Sequence, residues 1–493
     1  MELEFGKTVF PCLKRNVREV QDQEQTQEVR LPEELPDIGR VLGAWGQCVL
    51  RGKQWNSGGI GATGGVMAWV LYAPEDGSEP RSVEVWLPMQ MKWGFRGDSQ
   101  REGAIRTSWL LRSVDARTLS ARKLMVRACA SVLGEAMEPE EAEVCVPDPM
   151  PEDVQLLRRN YPALLPREAG EKAFFVEEEI RPAEGTAKPE KLLYCHVQPR
   201  VTEQSVVGGK AVFRGDLGVH MLCRYDDGQL RATDHGLGFS QFSDLDRDYD
   251  EDAQLDVMMA VSALEPELLD GTLRLKCGMV AQYLVRERRM LELVEDAYSP
   301  NRPVMPRMQT LELPMVLDNS REELRMEAEW NGGRAVDLAW YPEHPQIRRA
   351  GGLAEMEIPG TFQMLYYDDQ GNLQGDQVRG SSVWELPVGE NASVDAQVEP
   401  NGWPQATGGM LRSDMTVQAV TTAGEGMAMV TGLEMGEMTR PDPGRPSLIL
   451  RRAGEGSLWD LAKASGSTVE AIRAANGLAE EPEQGRMLLI PVS

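Results

Sequence analysis

The chain has 493 residues, well beyond one ordinary domain, and its 41% hydrophobic content lets each of about three or four domains bury a core. Its 52 basic and 78 acidic residues leave a net charge of −26, so nucleic acids and anionic membranes are repelled at long range. Protein partners, a cation or a neutral polysaccharide remain open.

The N-terminal stretch MELEFGKTVFPCLKR places Glu2 and Glu4 where a basic n-region belongs, and no apolar h-region follows, so no export signal is expected. No run of about 18 apolar residues occurs, and no transmembrane segment is expected. Seven cysteines (Cys12, Cys48, Cys129, Cys145, Cys195, Cys223 and Cys277) are scattered and odd in number, with no C-x-x-C. That pattern argues against a disulfide framework or a structural zinc site and for a reducing cytosol.

Residues 1–30 read as an N-terminal segment, and an internal repeat then dominates. Gly65 leads through VMAWVL to Tyr72 and an acidic turn, Pro74-Glu75-Asp76-Gly77. Gly218 leads through VHMLCR to Tyr225 and Asp226-Asp227-Gly228. Gly360 leads through TFQMLY to Tyr367 and Asp368-Asp369-Gln370-Gly371. Each reads as a strand that starts at the glycine and closes in a hairpin turn. Second strands are expected over 83–88, 237–239 and 383–388. The glycines recur about 140–150 residues apart, a domain-sized period rather than a solenoid repeat. The predicted fold class is therefore mainly β, with separate β-rich repeat domains at 31–136, 170–300 and 301–433. Residues 137–169 read as a linker with a short helix over 153–160, which stops before Pro162. Residues 297–307 form a proline-rich joint, and 434–446 form a stiff proline-rich linker.

Several motifs along the way carry no chemistry. Gly59-Ile60-Gly61-Ala62-Thr63-Gly64 matches G-x-G-x-x-G, but the following GVMAWVLY alternates like a strand, where a dinucleotide site needs a helix. Gly208-Gly209-Lys210-Ala211 lacks the earlier glycine and the Ser/Thr of a phosphate loop. Asp244, Asp246, Asp248, Asp250 and Asp252 alternate, yet Glu251 and Val257 stand where a calcium loop needs glycine and glutamate. The four histidines, His196, His220, His235 and His344, fall in no metal-binding spacing, and no G-x-S-x-G elbow occurs. No enzyme activity, metal or cofactor is expected.

Residues 447–493 read as a small α+β (βααβ) module. SLILR is a strand. Ser457 caps a first helix with Asp460 in its first turn. Ser467-Thr468-Val469-Glu470 opens a second helix, which ends at Asn476-Gly477. MLLIPV returns as a strand. Trp459 reads as core, with a partial surface anchor as the alternative.

This tail resembles a LysM domain through SLWDLAKASGSTVEAIRAANGL and RMLLIPV, except that Gly456 stands where sugar-binding members carry aspartate. The longer region resembles the SPOCS repeats of SipL-like spore coat assembly proteins. The second repeat matches best, through EKAFFVEEEI, VTEQSVVGGKAVFRGDL, FSQFSDLD and EDAYSP. The first keeps LPEELPDIGRVL, and the third is degenerate. The resemblance implies a non-enzymatic coat-morphogenesis scaffold in the mother-cell cytoplasm, recruited to the forespore surface. Its implied partners are the coat basement-layer ATPase or other coat proteins. The LysM groove is expected between the loops that flank the two helices, formed by Glu455, Gly456, Ser457, Leu458, Asn476, Gly477 and Leu478, with Leu458 and Leu478 on its rim; Leu458 is also expected in the module's core, with Leu461, Val469, Ile472 and Leu489. The alternative is a wall-associated protein that binds peptidoglycan or N-acetylglucosamine chains there. A wall hydrolase is a third reading.

Overall fold

The computed structural model describes residues 1–95, 97, 101–147, 149–183, 185–311, 313, 315–389, 392–423, 426–439, 446–454 and 456–492. The fold is mainly β, and its strands follow the two-residue period of the side chains. In Arg81–Gly94, for example, Val83, Val85, Leu87, Met89, Met91 and Trp93 are buried while the residues between them face outward.

One pairing scheme recurs three times. The first unit holds β2 (Gly6–Arg30), β3 (Ile38–Asn56), β4 (Gly59–Pro74), β5 (Arg81–Gly94), β6 (Ala104–Ser120) and β7 (Lys123–Val146), after a short β1 (Glu2–Glu4). These form two antiparallel sheets, β2-β7-β6 and β3-β4-β5. The second unit holds β8 (Gln155–Ile180), β9 (Pro189–Val206), β10 (Lys210–Tyr225), β11 (Leu230–Asp244), β12 (Gln254–Leu269) and β13 (Thr272–Tyr298). Its sheets are β8-β13-β12 and β9-β10-β11. The next strand, β14 (Val304–Leu311), lies outside the units. The third unit holds β15 (Val316–Glu329), β16 (Arg334–Pro342), β17 (Gln346–Ala350), β18 (Leu353–Tyr367), β19 (Leu373–Pro387), β20 (Ala392–Pro400), β21 (Gln405–Thr407) and β22 (Met410–Ala423). Here β15-β22-β20 and β16-β18-β19 repeat the scheme. β17 continues the edge begun by β16, and β21 continues that begun by β20. β23 (Met427–Met435) pairs with both β1 and β14. The C-terminal module is β24 (Leu448–Arg452), α1 (Leu458–Ser465), α2 (Val469–Asn476) and β25 (Met487–Pro491).

Several expectations need correcting. Gly65, Gly218 and Gly360 do not start strands; they lie inside β4, β10 and β18, the central strand of each meander. Two of them make room for tryptophan. A Cβ on Gly360 would stand 2.5 Å from Trp340 Nε1, and one on Gly65 would stand 2.8 Å from Trp86 Cζ2. Residues 1–30 are mostly strand β2, and 153–160 are not helical, because Gln155–Ile180 pairs along β13. Much of 137–169 is therefore ladder rather than linker. Pro162 and Pro166 of β8 are tolerated because β8 is an edge strand. Of the expected linker 434–446, residues 440–445 lie outside the described residues. The stretch just before them is pinned down, with Gly436 N–H on Pro303 O at 2.9 Å and Thr439 N–H on Asn301 O at 2.8 Å.

The acidic turns behave alike. Gly77, Gly228 and Gly371 all take the left-handed conformation, with φ of 72°, 77° and 79°. In each turn an aspartate accepts from a backbone N–H two residues on: Asp76 from Ser78, Asp227 from Gln229, and Asp368 from Gln370, at 2.9–3.0 Å.

The first two units share a core, while the third also buries its own around Met326, Trp340, Phe362 and Met415. One hydrophobic cluster runs through the first two and takes in Ala339, Tyr341 and Leu365 of the third. Trp45 of β3 is fully buried and stacks on Tyr194 of β9 with centroids 5.3 Å apart. Gly46 N–H donates to Tyr341 Oη of β16 over 3.2 Å. Tyr194 in turn donates to Asp337 of β16. Asp337 also meets His220 of β10, whose Nε2 lies 2.6 Å from Asp337 Oδ1 and whose Nδ1 lies 2.5 Å from Asp234 Oδ1. Burial opposes the charge on His220, but Asp337 and Asp234 outweigh it and push the imidazole up to about 9. Neighbouring His196 is held down to about 4 by burial and by His220. Trp403, in the break between β20 and β21, lies over both rings, 4.9 Å from His220 and 5.6 Å from His196.

Candidate functional site: the C-terminal module and its seat

The module closes around Leu458, Trp459, Ala462, Ile472, Leu488 and Ile490, all buried. Its two helices are short, eight residues each, so their ends depend on capping. Ser457 Oγ accepts from Asp460 N–H over 3.2 Å, and Asp460 Oδ2 accepts from Ser457 N–H over 3.1 Å, a reciprocal capping box. The second helix is capped by Thr468, one residue later than the motif suggested, through Ala471 N–H at 3.1 Å. Gly466 and Gly477 close the two helices in the left-handed conformation.

The residues expected to form a groove have mixed fates. Glu455 lies outside the described residues. Gly456 is exposed, and a Cβ there would reach only ordinary contact, 3.4 Å from Asp460 Oδ2. Ser457 is engaged in its cap. Leu458 does not sit on a rim; it is 1% exposed and belongs to the core, because its place in the first turn faces the second helix and β25. Asn476 is structural. Its Nδ2 donates to Ile472 O at 2.8 Å and Leu489 O at 2.6 Å, and its Oδ1 accepts from Leu489 N–H at 2.8 Å. Leu478 is half-buried against the same core. The loop after the second helix supplies one group the motif did not suggest: Glu481 Oε2 accepts from Leu458 N–H over 2.9 Å, at the start of α1. That carboxylate holds the backbone donor between the two loops.

Trp459 faces the body rather than a ligand. Its Nε1–H donates to Asp296 Oδ2 of β13 over 2.8 Å, and its ring meets Tyr298 edge-on with centroids 4.7 Å apart. Lys463 Nζ reaches both oxygens of Asp296 at 2.8 and 2.7 Å, and Tyr298 Oη–H donates to Ser467 O at 2.9 Å. Burial works to raise the Asp296 carboxyl, but the bonds from Lys463 and Trp459 outweigh it and hold it below its usual range. Burial, aided by Asp296, pushes Tyr298 up to about 12. The module is thus seated on the end of β13 through an anchored indole.

The surface left open lies on the other side. Leu450 pairs with Leu489, and Arg452 with Met487, so Leu448, Leu450, Met487 and Leu489 share the face of β24-β25 turned away from the helices. All four are exposed, by 39–59%, Leu489 among them although it is expected in the core, because strand alternation turns Leu488 and Ile490 inward instead. Both strings, SLILR and MLLIPV, carry the signal: alternate apolar residues beyond the set the helices bury. Elsewhere, the Gly59–Gly64 run lies within strand β4, and Asp244 of the aspartate run pairs with Lys210. Among the described residues, no three His, Cys, Asp or Glu side chains are gathered as a metal site, and no helix is long and apolar enough to cross a membrane. In comparisons with known proteins, no family model, no curated protein and no solved structure matches the chain.

Proposed function

We propose that this chain is a non-enzymatic assembly scaffold of the spore envelope, acting on the mother-cell side and docking at the forespore surface. The observation that carries this reading is the architecture: three β units of one pairing scheme, joined through buried contacts, bearing one small βααβ module at a fixed seat. This is the order of parts in the SPOCS and LysM resemblance. A body so joined is suited to holding a binding module in a set orientation. The exposed leucines of β24-β25, beside Arg452 on the same face, offer an apolar surface with a basic edge to an acidic protein partner. The coat basement-layer ATPase is the partner proposed.

A glycan-binding role for the module is the weaker reading. The loop donor Leu458 N–H is already taken by Glu481, and both ends of the Asn476 amide are spent within the fold. The deciding experiment retains partners from sporulating-cell extract on the immobilised full chain, beside a Leu450→Lys variant, and titrates the same chain with chitin oligomers. Retention of the ATPase by the wild type and its loss in the variant support the proposal. Chitin binding without retained protein reverses it in favour of the wall-binding alternative.

A further inference from the structure

The three units meet around a cavity of about 520 Å³ that the scaffold reading does not use. Its size falls in the range of small-molecule sites, roughly 300–1,000 Å³. In a chain of net charge −26, its polar wall is unusual: Arg15, Arg18, Arg106 and Arg286 face Glu135, Asp256 and Asp395.

The pairing is incomplete. Arg18 bonds Glu135 and Asp395, each at 3.1 Å, and Arg15 adds a contact to Asp395. Arg106 bonds Asp256 at 2.9 Å and lies 3.5 Å from Glu135. Arg286 has only a 3.5 Å contact to Asp256, already held by Arg106, and its Nη1 has no hydrogen-bond partner among the described residues. Arg106 Nε is likewise unpartnered, and these two residues are 7% and 1% exposed. Lys14 and Glu140, also in the lining, pair with each other at 3.3 Å, which leaves four guanidiniums to share three carboxylates, of which Glu135 keeps one oxygen, Oε2, without a hydrogen bond among the described residues. An arginine cannot shed its proton to escape burial, so a surplus buried guanidinium is costly until an anion joins it. An apolar patch adjoins these charges: Leu13, Met137 and Leu284, all buried and in mutual contact, lie two residues along their strands from Arg15, Glu135 and Arg286.

We propose that this cavity binds a small amphiphilic carboxylate, its head on Arg286 and its apolar body against Leu13, Met137 and Leu284. A planar carboxylate suits the guanidinium fork, and fork and apolar patch together select an anion that carries hydrocarbon. The three units contribute to one wall, through Arg286 and Asp256 from the second, Arg18 and Arg106 from the first, and Asp395 from the third. Such a ligand therefore also ties the units together, and its binding adds to the stability of the whole body.

The test is calorimetric titration of the full chain with octanoate, acetate and phosphate separately. Octanoate is expected to bind at one site, about tenfold or more tighter than acetate or phosphate, because only it covers the apolar patch. Arg286→Met keeps the side chain's bulk and is expected to weaken octanoate about tenfold or more while keeping a cooperative melt. If Arg286→Met does not fold, the wild-type ranking decides. No octanoate binding, binding at many sites, unchanged binding in a folded Arg286→Met, or phosphate as tight as octanoate would each overturn the assignment.

Discussion

Trp459 of the C-terminal module and Asp296 of the second unit, 163 positions apart in the chain, are joined by an indole N–H···carboxylate bond of 2.8 Å. The aromatic residue that could have served as a surface anchor is used to seat the module. Asp296→Ala removes the acceptor for both Trp459 and Lys463 and should loosen that seat at a cost of about 1–3 kcal/mol. Faster hydrogen exchange and proteolysis are expected over residues 446–476, with the melting of the β body unchanged. A body that melts earlier in this variant would mean that the seat also supports the units.

Asn476 clamps β25 to α2 with three bonds, two of them to Leu489. Asn476→Ala leaves the backbone groups of Leu489 without that partner and should cost the module about 1–3 kcal/mol. The readout is the exchange rate of the Leu489 amide in the full chain. Unaltered protection would show that the strand pairing with β24 suffices.

Trp45 and Tyr194 stack across the first and second units within their shared cluster. Trp45→Ala opens a void in a fully buried site and should cost about 3–5 kcal/mol. Because the cluster is common to both units, denaturant melts followed by far-UV signal should shift as one transition. A split into two transitions would show that the units fold independently.

The His220 cluster makes the junction of the second and third units sensitive to pH. The groups facing His220 are Asp234, Asp337, Tyr194 and His196, under Trp403. Its folded value, about 9, lies above the ordinary value of 6.5. The protonated form is therefore favoured by folding. Its contribution is complete below 6.5, declines as the pH rises through the window to about 9, and is absent above it. A few kcal/mol should be lost across that window, and His220→Gln should flatten the loss. Parallel pH dependence in wild type and variant would sink this assignment. His196 has the opposite sign: held down to about 4, it favours the folded state at neutral pH and withdraws that support as the pH falls below 6.5.

Local features were legible in the sequence, and long-range ones were not. The acidic turns at Gly77, Gly228 and Gly371, the Ser457 cap and the Gly477 terminus depend on neighbours within a few residues, and each stands where its motif falls. The length of β8 was hidden because Pro162 and Pro166 read as breakers, and only the pairing along β13 shows that they sit on an edge. Leu458 stands in the core, one of its two expected places, and not on the rim: helical spacing gives its angle about α1, but not that Leu488 and Ile490 of β25 close over that face. Trp403 and Arg286 carry no local signal, since their partners are the His220 and Asp256 side chains of other strands.

The pairing of β1 with β23 has a consequence for how the molecule is made. Glu2–Glu4 find their hydrogen-bonded neighbours in Gly432–Glu434, and the Met1 amino group donates to Met435 O over 2.8 Å. As the chain leaves the ribosome, its first strand must wait, unpaired, while more than four hundred residues follow. Pairing over such a separation is slow to nucleate, so closing this clasp should be among the last events of folding. A nascent chain halted before β23 would hold β1 as a solvent-exposed edge, whose capture must await the synthesis of Met427–Met435.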